Sequence, residues 1–556
     1  MLFCNAVMTD CEHNIVDMGY DKFSAKPELG EHLGAIVFRA LARKPFKPLT
    51  VDLSTGRREM KSGVFLAAAI ALSRRIAKIP AKRIGIVFPP GIACSLTNLA
   101  VVLADKTPVN LNFASGTKAV SICIRKAGLS HIITAQPVIN KLPGFPWTDN
   151  TIDFAQLMGG IRKSEILGWL AAALGTPSNM LMRWLGIPAE GGEREAALLF
   201  SSGSTGEPKG IVLSHSNIIS NCIQIDEVKM FRPETDIVMT NLPIFHSFGF
   251  TVNMWYPLVA VMKTVSLPNP LETRRIAQAI EDEKVSFLIG TPTLLRPYLK
   301  KVDPAQLRSL RLTVAGAEKP PAGFAQLWER TIGIRFAIGY GLTETSPAVA
   351  VDLDSVNSDK PSRFNENTGH LFPGMKARIV EDSTGEVLDP TSLGILELKG
   401  ANVFGGYLDD AEATKRAFNG SWFRTGDIAR FDEDGCLHIE GRISRFSKIA
   451  GEMVPHGTVE QAIVRALGLE DSEVPVVAVA GTSDKVKGES LVLLSAIDID
   501  VALLREKLAA EGLPNLWIPR RIQRVDAIPT LASGKLDLMT LGEIARKSAE
   551  CEVESA

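Results

Sequence analysis

The segment Ser201–Gly210 reads SSGSTGEPKG and holds four small hydroxyl residues, three glycines and one lysine. Glycines let backbone N–H groups curl around an anion, and hydroxyls and an ammonium add further donors. The composition suits a triphosphate or a pyrophosphate. It is not a Walker A loop, in which GxxxxGK runs straight into Ser or Thr. Here Lys209 follows Glu207-Pro208 and precedes Gly210. The spacing therefore speaks against a P-loop NTPase. Taken alone, the same residues also suit a flexible glycine/serine turn.

Elements must hold such a loop. Ala196–Phe200 (AALLF) reads as a strand entering it, and Ile211–Leu213 continues apolar after it. Upstream, Arg83–Phe88 is a short apolar strand, Pro89-Pro90-Gly91 breaks it, Ile92–Ala104 is a packed helix and Pro108–Phe113 the next strand. The order β–turn–α–β implies an α/β fold with a parallel sheet covered by helices. Ile237–Leu242, Val285–Gly290 and Leu312–Gly316 repeat the pattern. Beyond about Ala377, short strands such as Ile395–Lys399 and Cys436–Glu440 are split by Asp-Gly and Ser-Thr-Gly turns, the texture of a small β subdomain. Alternating segments restart after Gly441, which predicts one domain over 1–441 and a second over 442–556.

The chain has 556 residues, enough for roughly four domain-sized units. Its net charge of −1 provides no basic field for nucleic acid. Seven scattered cysteines without a CxxC pair suit reduced thiols rather than disulfides or zinc. The N-terminus lacks the pattern of a signal peptide, and no run is apolar for long enough to span a bilayer. These features predict a cytoplasmic protein. One segment stands apart. Glu165–Pro188 sets Trp169, Leu170, Met180, Leu181, Trp184 and Leu185 at helical spacing, with Arg162, Lys163 and Arg183 beside them. It reads as a helical hairpin on the core, or as a peripheral patch at a membrane interface.

Further motifs follow the loop in order: Leu242–Gly249 (LPIFHSFG), Ala315–Glu318 (AGAE), Gly339–Thr345 (GYGLTET), Gly394–Tyr407, Trp422–Asp427 (WFRTGD), Gly441–Gly451 (GRISRFSKIAG) and Pro529–Lys535 (PTLASGK). Together with SSGSTGEPKG they resemble the adenylate-forming superfamily of acyl-CoA synthetases, peptide-synthetase adenylation domains and luciferases. The resemblance implies the adenylate-forming fold: a large N-terminal domain of α/β subdomains plus a small β subdomain, and a small mobile C-terminal α+β domain. It also implies ATP and Mg2+. Ser201, Ser202, Gly203, Ser204, Thr205, Gly206 and Lys209 would wrap the β- and γ-phosphates, with Thr205 and Glu344 holding the metal. Tyr340, between Gly339 and Gly341, would stack on adenine. Gly316 and Ala317, with Glu318 next in the motif, would lie against the base and the acid. Asp427 and Arg442 would bind the ribose. Thr343 would donate to the α-phosphate, and His246 would position or gate. Lys448 and Gly451 would line a pantetheine tunnel. Lys535 would bridge the carboxylate and the α-phosphate.

GRISRFSKIAGEMV, PTLASGKLDL, LPIFHSFGFTV and VAGAEK are together similar to the synthetase half of the bifunctional acyl-[acyl-carrier-protein] synthetase/2-acylglycerophosphoethanolamine acyltransferase group. That likeness implies a long-chain fatty acid as substrate and the phosphopantetheine thiol of acyl carrier protein as acceptor. The acyltransferase half, with its HxxxxD motif, is missing: His13 and Asp17 stand one residue too close. CoA as acceptor is the second reading, and another carboxylic acid fits the same motifs. A non-catalytic binding protein is a third reading, opposed by Lys209, Glu344, Asp427 and Lys535 occurring together. Phe245, Phe248, Phe250, Met254 and Trp255 would form an apolar wall for the acyl chain. Arg442, Arg445, Lys448, Arg520, Arg521 and Arg524 would offer cations to an acidic carrier protein.

Overall fold

A computed structural model describes residues 8–10, 14–202, 207–352, 367–449, 452–469, 472, 474–484, 488–510, 512–530 and 536–553. Its strands form four sheets. The first runs Pro208–Ser214, Glu195–Ser202, Thr107–Asn110, Arg83–Ile86, His131–Thr134, Asn150–Asp153. Only the outermost pair, which flanks the glycine-rich loop, is antiparallel. The interior strands are near-continuous apolar runs because helices cover parallel sheets on both faces. The second sheet has nine strands and sets Ile237–Thr240, Phe287–Gly290, Leu312–Ala315 and Arg335–Gly341 side by side in parallel. The strands expected at 83, 237, 285 and 312 and the helix expected at 92 are all present, each with one end moved by one or two residues.

One apolar cluster joins strands of both sheets to helices Leu33–Arg43, Ser62–Ile76, Ile92–Leu103 and His215–Glu227. Ser62–Ile76 (SGVFLAAAIALSRRI) is apolar all round because it is enclosed on nearly every side. Among the described residues, no helix is long and apolar enough to cross a membrane. The helix His215–Glu227 starts on a capping box. Asn217 N–H donates to Ser214 Oγ (3.1 Å), and Ser214 N–H donates to Asn217 Oδ1 (2.9 Å). That box fixes the corner immediately after the hairpin that carries the glycine-rich loop.

The third sheet contains Lys376–Val380, Gly394–Lys399, Trp422–Phe431 and Leu437–Arg442, the β subdomain expected past Ala377. It also recruits Ile15–Asp17, which pairs antiparallel with Lys376 and Ala377. That strand was not expected from the sequence. A short turn, Ile443–Arg445, leads to the fourth sheet, built from Phe446–Ile449, Glu452–Pro455, Val477–Asp484, Gly488–Ser495 and Arg521–Arg524. This part has apolar clusters of its own.

Two buried imidazoles, His32 and His215, pack at a tilt of 42° with ring centroids 4.1 Å apart. Leu33 N–H donates to His215 Nδ1 (3.1 Å), so that nitrogen must carry no proton. Burial pushes His32 down to about 4 and His215 to about 2; the opposite ring and Arg194 add to the shift of His215. Both folded values lie below the unfolded one, so between about pH 6.5 and 4 the unfolded chain binds more protons. Their contribution is complete above about pH 6.5 and is lost as the pH falls, by roughly 1.4 kcal/mol per histidine per pH unit. The thermal midpoint should therefore drop between pH 7 and pH 5. His215→Asn keeps an acceptor for Leu33 N–H and should flatten that slope. An unchanged slope in the variant would remove the pair as its cause.

Candidate active site

The glycine-rich hairpin sets Ser201 directly opposite Lys209. Gly203, Ser204, Thr205 and Gly206 lie outside the described residues, and of Ser202 the backbone alone is described. The Lys209 ammonium sits over the Tyr407 ring, 4.9 Å from its centroid. A cation over an aromatic face is attracted by the ring quadrupole. The Tyr407 hydroxyl donates to Glu344 Oε1 (3.0 Å). Burial and the Glu344 carboxylate both raise its ionisation, so it stays a donor. Backbone bonds reinforce the link: Leu408 N–H donates to the Gly210 carbonyl, and Phe404 N–H to the Glu344 carbonyl, each at 2.8 Å. The segment 404–408 thus ties the lysine strand to the Glu344 turn. Tyr407 is a residue that sequence reasoning quoted at the end of a motif and gave no role.

A second group forms around Asp427, which is 3% exposed. The Tyr340 hydroxyl donates to its Oδ2 (2.5 Å), and Arg442 Nε donates to its Oδ1 (3.0 Å). Asp427 and Arg442 are cross-strand partners, so the sheet register itself brings them together. Burial pushes the Asp427 carboxyl up, and Arg442 and then Tyr340 pull it back. Gly339, Tyr340 and Gly341 end one strand. A Cβ on Gly341 would lie 2.0 Å from the Pro347 carbonyl oxygen, so only glycine fits. That close approach turns the chain into Thr343–Thr345, where Thr343 accepts from Ser247 Oγ (3.3 Å).

The neighbouring loop holds His246, exposed, with its ring against Phe245 at 4.7 Å. Phe245 in turn meets Phe113 edge-on at 5.1 Å. Phe248 lies over Gly316: a Cβ there would come within 3.2 Å of the Phe248 ring. Ala317 takes a left-handed φ of 67°, rare outside glycine and costly enough to mark a constrained site. Glu318 accepts from Thr293 Oγ1 (2.7 Å), away from the Asp427 group. The apolar wall is smaller than expected. Phe250, Met254 and Trp255 lie in a seven-residue π-helix, Gly249–Trp255, and are fully buried in the core. Of the five, Phe245 and Phe248 remain beside Gly316 and His246.

The basic residues expected to meet a carrier protein also change. Arg445 donates to Glu460 Oε2 and to the Val479 carbonyl, Arg442 serves Asp427, and Arg524 Nε is 3.0 Å from Asp498 Oδ1. Of these guanidinium groups only that of Arg445 is mostly covered; Arg442 and Arg524 stay exposed although paired, as do Lys448 and Arg520. Lys448 lies in the strand Phe446–Ile449, its own N–H donating to Glu489 Oε2 (2.7 Å). Gly451 and Lys535 lie outside the described residues.

The structure therefore gathers Ser201, Lys209, Thr343, Glu344, Tyr340, Asp427 and Arg442 into two linked groups. These donors fit a nucleotide: a flat phenol, a buried carboxylate to accept from hydroxyls, and an ammonium for phosphate. Glu344 presents hard oxygens of the kind that Mg2+ takes, one of them steadied by Tyr407.

Comparison with known proteins identifies the family. Residues 65–408 match the family described as AMP-binding enzyme. A long-chain-fatty-acid–CoA ligase of Thermus thermophilus is 30% identical over 359 residues, which are 62% of this chain and 65% of that protein. A feruloyl-CoA synthase of Amycolatopsis sp. is 28% identical over 508 residues, 86% of this chain and 93% of that one. The crystal structure of ATP-bound MatB from Rhodopseudomonas palustris superposes with a TM-score of 0.74 at 24% identity, covering 92% of this chain and 98% of the other. At that identity the likeness speaks for a shared fold.

Proposed function

The chain belongs to the family of AMP-binding enzymes and has their adenylate-forming α/β fold, and from that premise we propose that it is an acid–thiol ligase that first makes an acyl-adenylate. The observation that carries the reading is the continuous link Lys209–Tyr407–Glu344, with Tyr340, Asp427 and Arg442 assembled in the same part of the chain. A carboxylate attacks the α-phosphate in line and pyrophosphate departs. Lys209 and the hydroxyls of the loop hold the β- and γ-phosphates. Thr343 donates to the α-phosphate. Asp427 accepts from the ribose hydroxyls while Arg442 keeps it charged. Glu344 and Thr205 would hold Mg2+, which would neutralise phosphate charge. Lys535 enters from the 442–556 unit and lies between the two reacting oxygens. That unit then turns about the Ile443–Arg445 segment, and Lys448 and Gly451 line the path of the incoming thiol.

The acid is a long-chain fatty acid. Support comes from the apolar Phe245–Phe248 surface and from the name of the Thermus relative. The acceptor is a pantetheine thiol. The resemblance of Gly441–Val454 favours acyl carrier protein. CoA is the second reading, favoured by the relatives, which carry CoA in their names. Palmitate, ATP and Mg2+ should yield pyrophosphate, and none with any fatty acid would overturn the choice of acid. Acyl carrier protein and CoA offered together should give acyl-carrier-protein thioester first. Preferential acyl-CoA would replace that acceptor with CoA.

A further inference from the structure

The helices Lys163–Gly175 and Ser178–Leu185 form the hairpin foreseen at 165–188. One side of it is ordinary packing. Leu181 and Met182 are buried, and Trp169 and Leu185 rest against the main core. The other side is not ordinary. No residue of Lys163–Gly175 is fully buried, yet the helix is apolar on both faces. Its exposed positions after Ser164 are Leu167, Gly168, Ala171, Leu174 and Gly175, a stripe at helical spacing without a single charge. A soluble surface helix carries polar side chains there.

The patch continues past this helix. Leu167 is 64% exposed, Met180 52% and Trp184 79%. A Cβ on Gly63 would lie within 3.0 Å of both Pro45 and the Leu170 side chain, so the hairpin adjoins the loop that carries Phe46, itself 69% exposed. Contiguous exposed apolar surface of this kind marks an interaction site. Its charge indicates the partner. Between residues 154 and 189 the basic residues are Arg162, Lys163 and Arg183, all exposed, and the single acid is Glu165. Glu165 is neutralised by a two-pronged pair with Arg75 (2.7 and 2.8 Å). Arg74 adds another exposed cation, over the Trp169 ring. Apolar side chains ringed by cations, with an indole at the rim, complement an anionic lipid interface.

We propose that the 163–185 hairpin docks on a lipid surface bearing anionic headgroups, with Leu167, Leu174, Met180 and Trp184 entering the acyl boundary and Arg162, Lys163 and Arg183 at the phosphates. The hairpin packs on the helices Ser62–Ile76 and Leu33–Arg43 and holds no residue assigned to the site, so the proposal stands independently of the ligase reading. The test uses the full chain with vesicles of pure phosphatidylcholine and of an equal mixture with phosphatidylglycerol. The wild type should co-sediment with the mixed vesicles, and much less with the neutral ones or at high salt. Leu167→Ser/Trp184→Ser should lower the partition coefficient by about tenfold or more. Arg162→Gln/Lys163→Gln/Arg183→Gln should abolish the preference for anionic lipid. Brominated lipid should quench the wild-type tryptophan emission and leave the double variant's unchanged. These side chains are exposed, so unchanged circular dichroism and adenylation in solution exclude misfolding. Equal sedimentation of wild type and double variant would overturn the proposal. So would a wild-type dimer, dispersed by the double variant, that ignores vesicles; the face would then join two copies of this chain.

Discussion

Lys535→Ala should abolish acid-dependent pyrophosphate exchange while thioester formation from a presynthesised acyl-adenylate survives. In the adenylation step a carboxylate approaches a phosphorus already carrying negative oxygens. Charge develops on the equatorial oxygens as pyrophosphate leaves. A fixed ammonium between carboxylate and α-phosphate stabilises that arrangement more than the ground state, which is what accelerates a reaction. Removing one such electrostatic contact costs on the order of 10²–10³ in rate. Thioester formation makes no such demand, because the phosphate is then a leaving group that is already charged. Lys535 lies outside the described residues. The flanking backbone is tied: Thr530 bridges to Leu536, and Asp537 N–H donates to the Pro529 carbonyl (3.0 Å). The decisive comparison is the two half-reactions in one variant. Full exchange activity would refute the assignment, and equal loss of both would make Lys535 a structural residue.

Tyr407→Phe should weaken the protein's hold on ATP in the presence of Mg2+ about 10- to 100-fold. The substitution keeps the ring under Lys209 and removes the hydroxyl on Glu344. A hydrogen bond to a charged group contributes about 1.5–3 kcal/mol, and here the carboxylate would lose the contact that orients it. The effect should appear as a raised KM for ATP and a raised Mg2+ requirement, with kcat changed less. Calorimetric titration of ATP into the variant, with no acid present, reads the same loss without turnover. Tyr407→Ala should be worse, since Lys209 then loses its aromatic seat as well. Wild-type affinity in Tyr407→Phe would show that the hydroxyl packs without positioning. Loss of binding in Tyr407→Phe together with intact binding in Glu344→Gln would separate Tyr407 from the metal carboxylate.

Much of the parallel architecture was legible because each of its strands is a local apolar run closed by Gly or Pro, as at Arg83–Ile86 and Leu312–Ala315. The site was legible as an order of motifs. What escaped has a common physical origin. The partner of Ile15–Asp17 is chosen by a distant strand, and three residues encode no address. Phe250, Met254 and Trp255 are visibly apolar, but a π-helix changes which way successive side chains point. The guanidinium of Arg445 is read as a free surface charge until Glu460 is folded beside it. Asp427 and Arg442 show the reverse: isolated, each looks ordinary, and strand register makes them a pair.

The strand Ile15–Asp17 also imposes a timetable. It leaves the ribosome long before Lys376 and Ala377 are made. Until then it can pair with Met8–Asp10, but its other edge has no sheet to join, and the helices between fold without it. Domains generally mature from the N-terminal end during synthesis, but this sheet must close backwards, over the finished α/β layers. Chains halted before residue 376 should therefore keep residues 15–17 accessible to protease, and elongation past Arg442 should protect them.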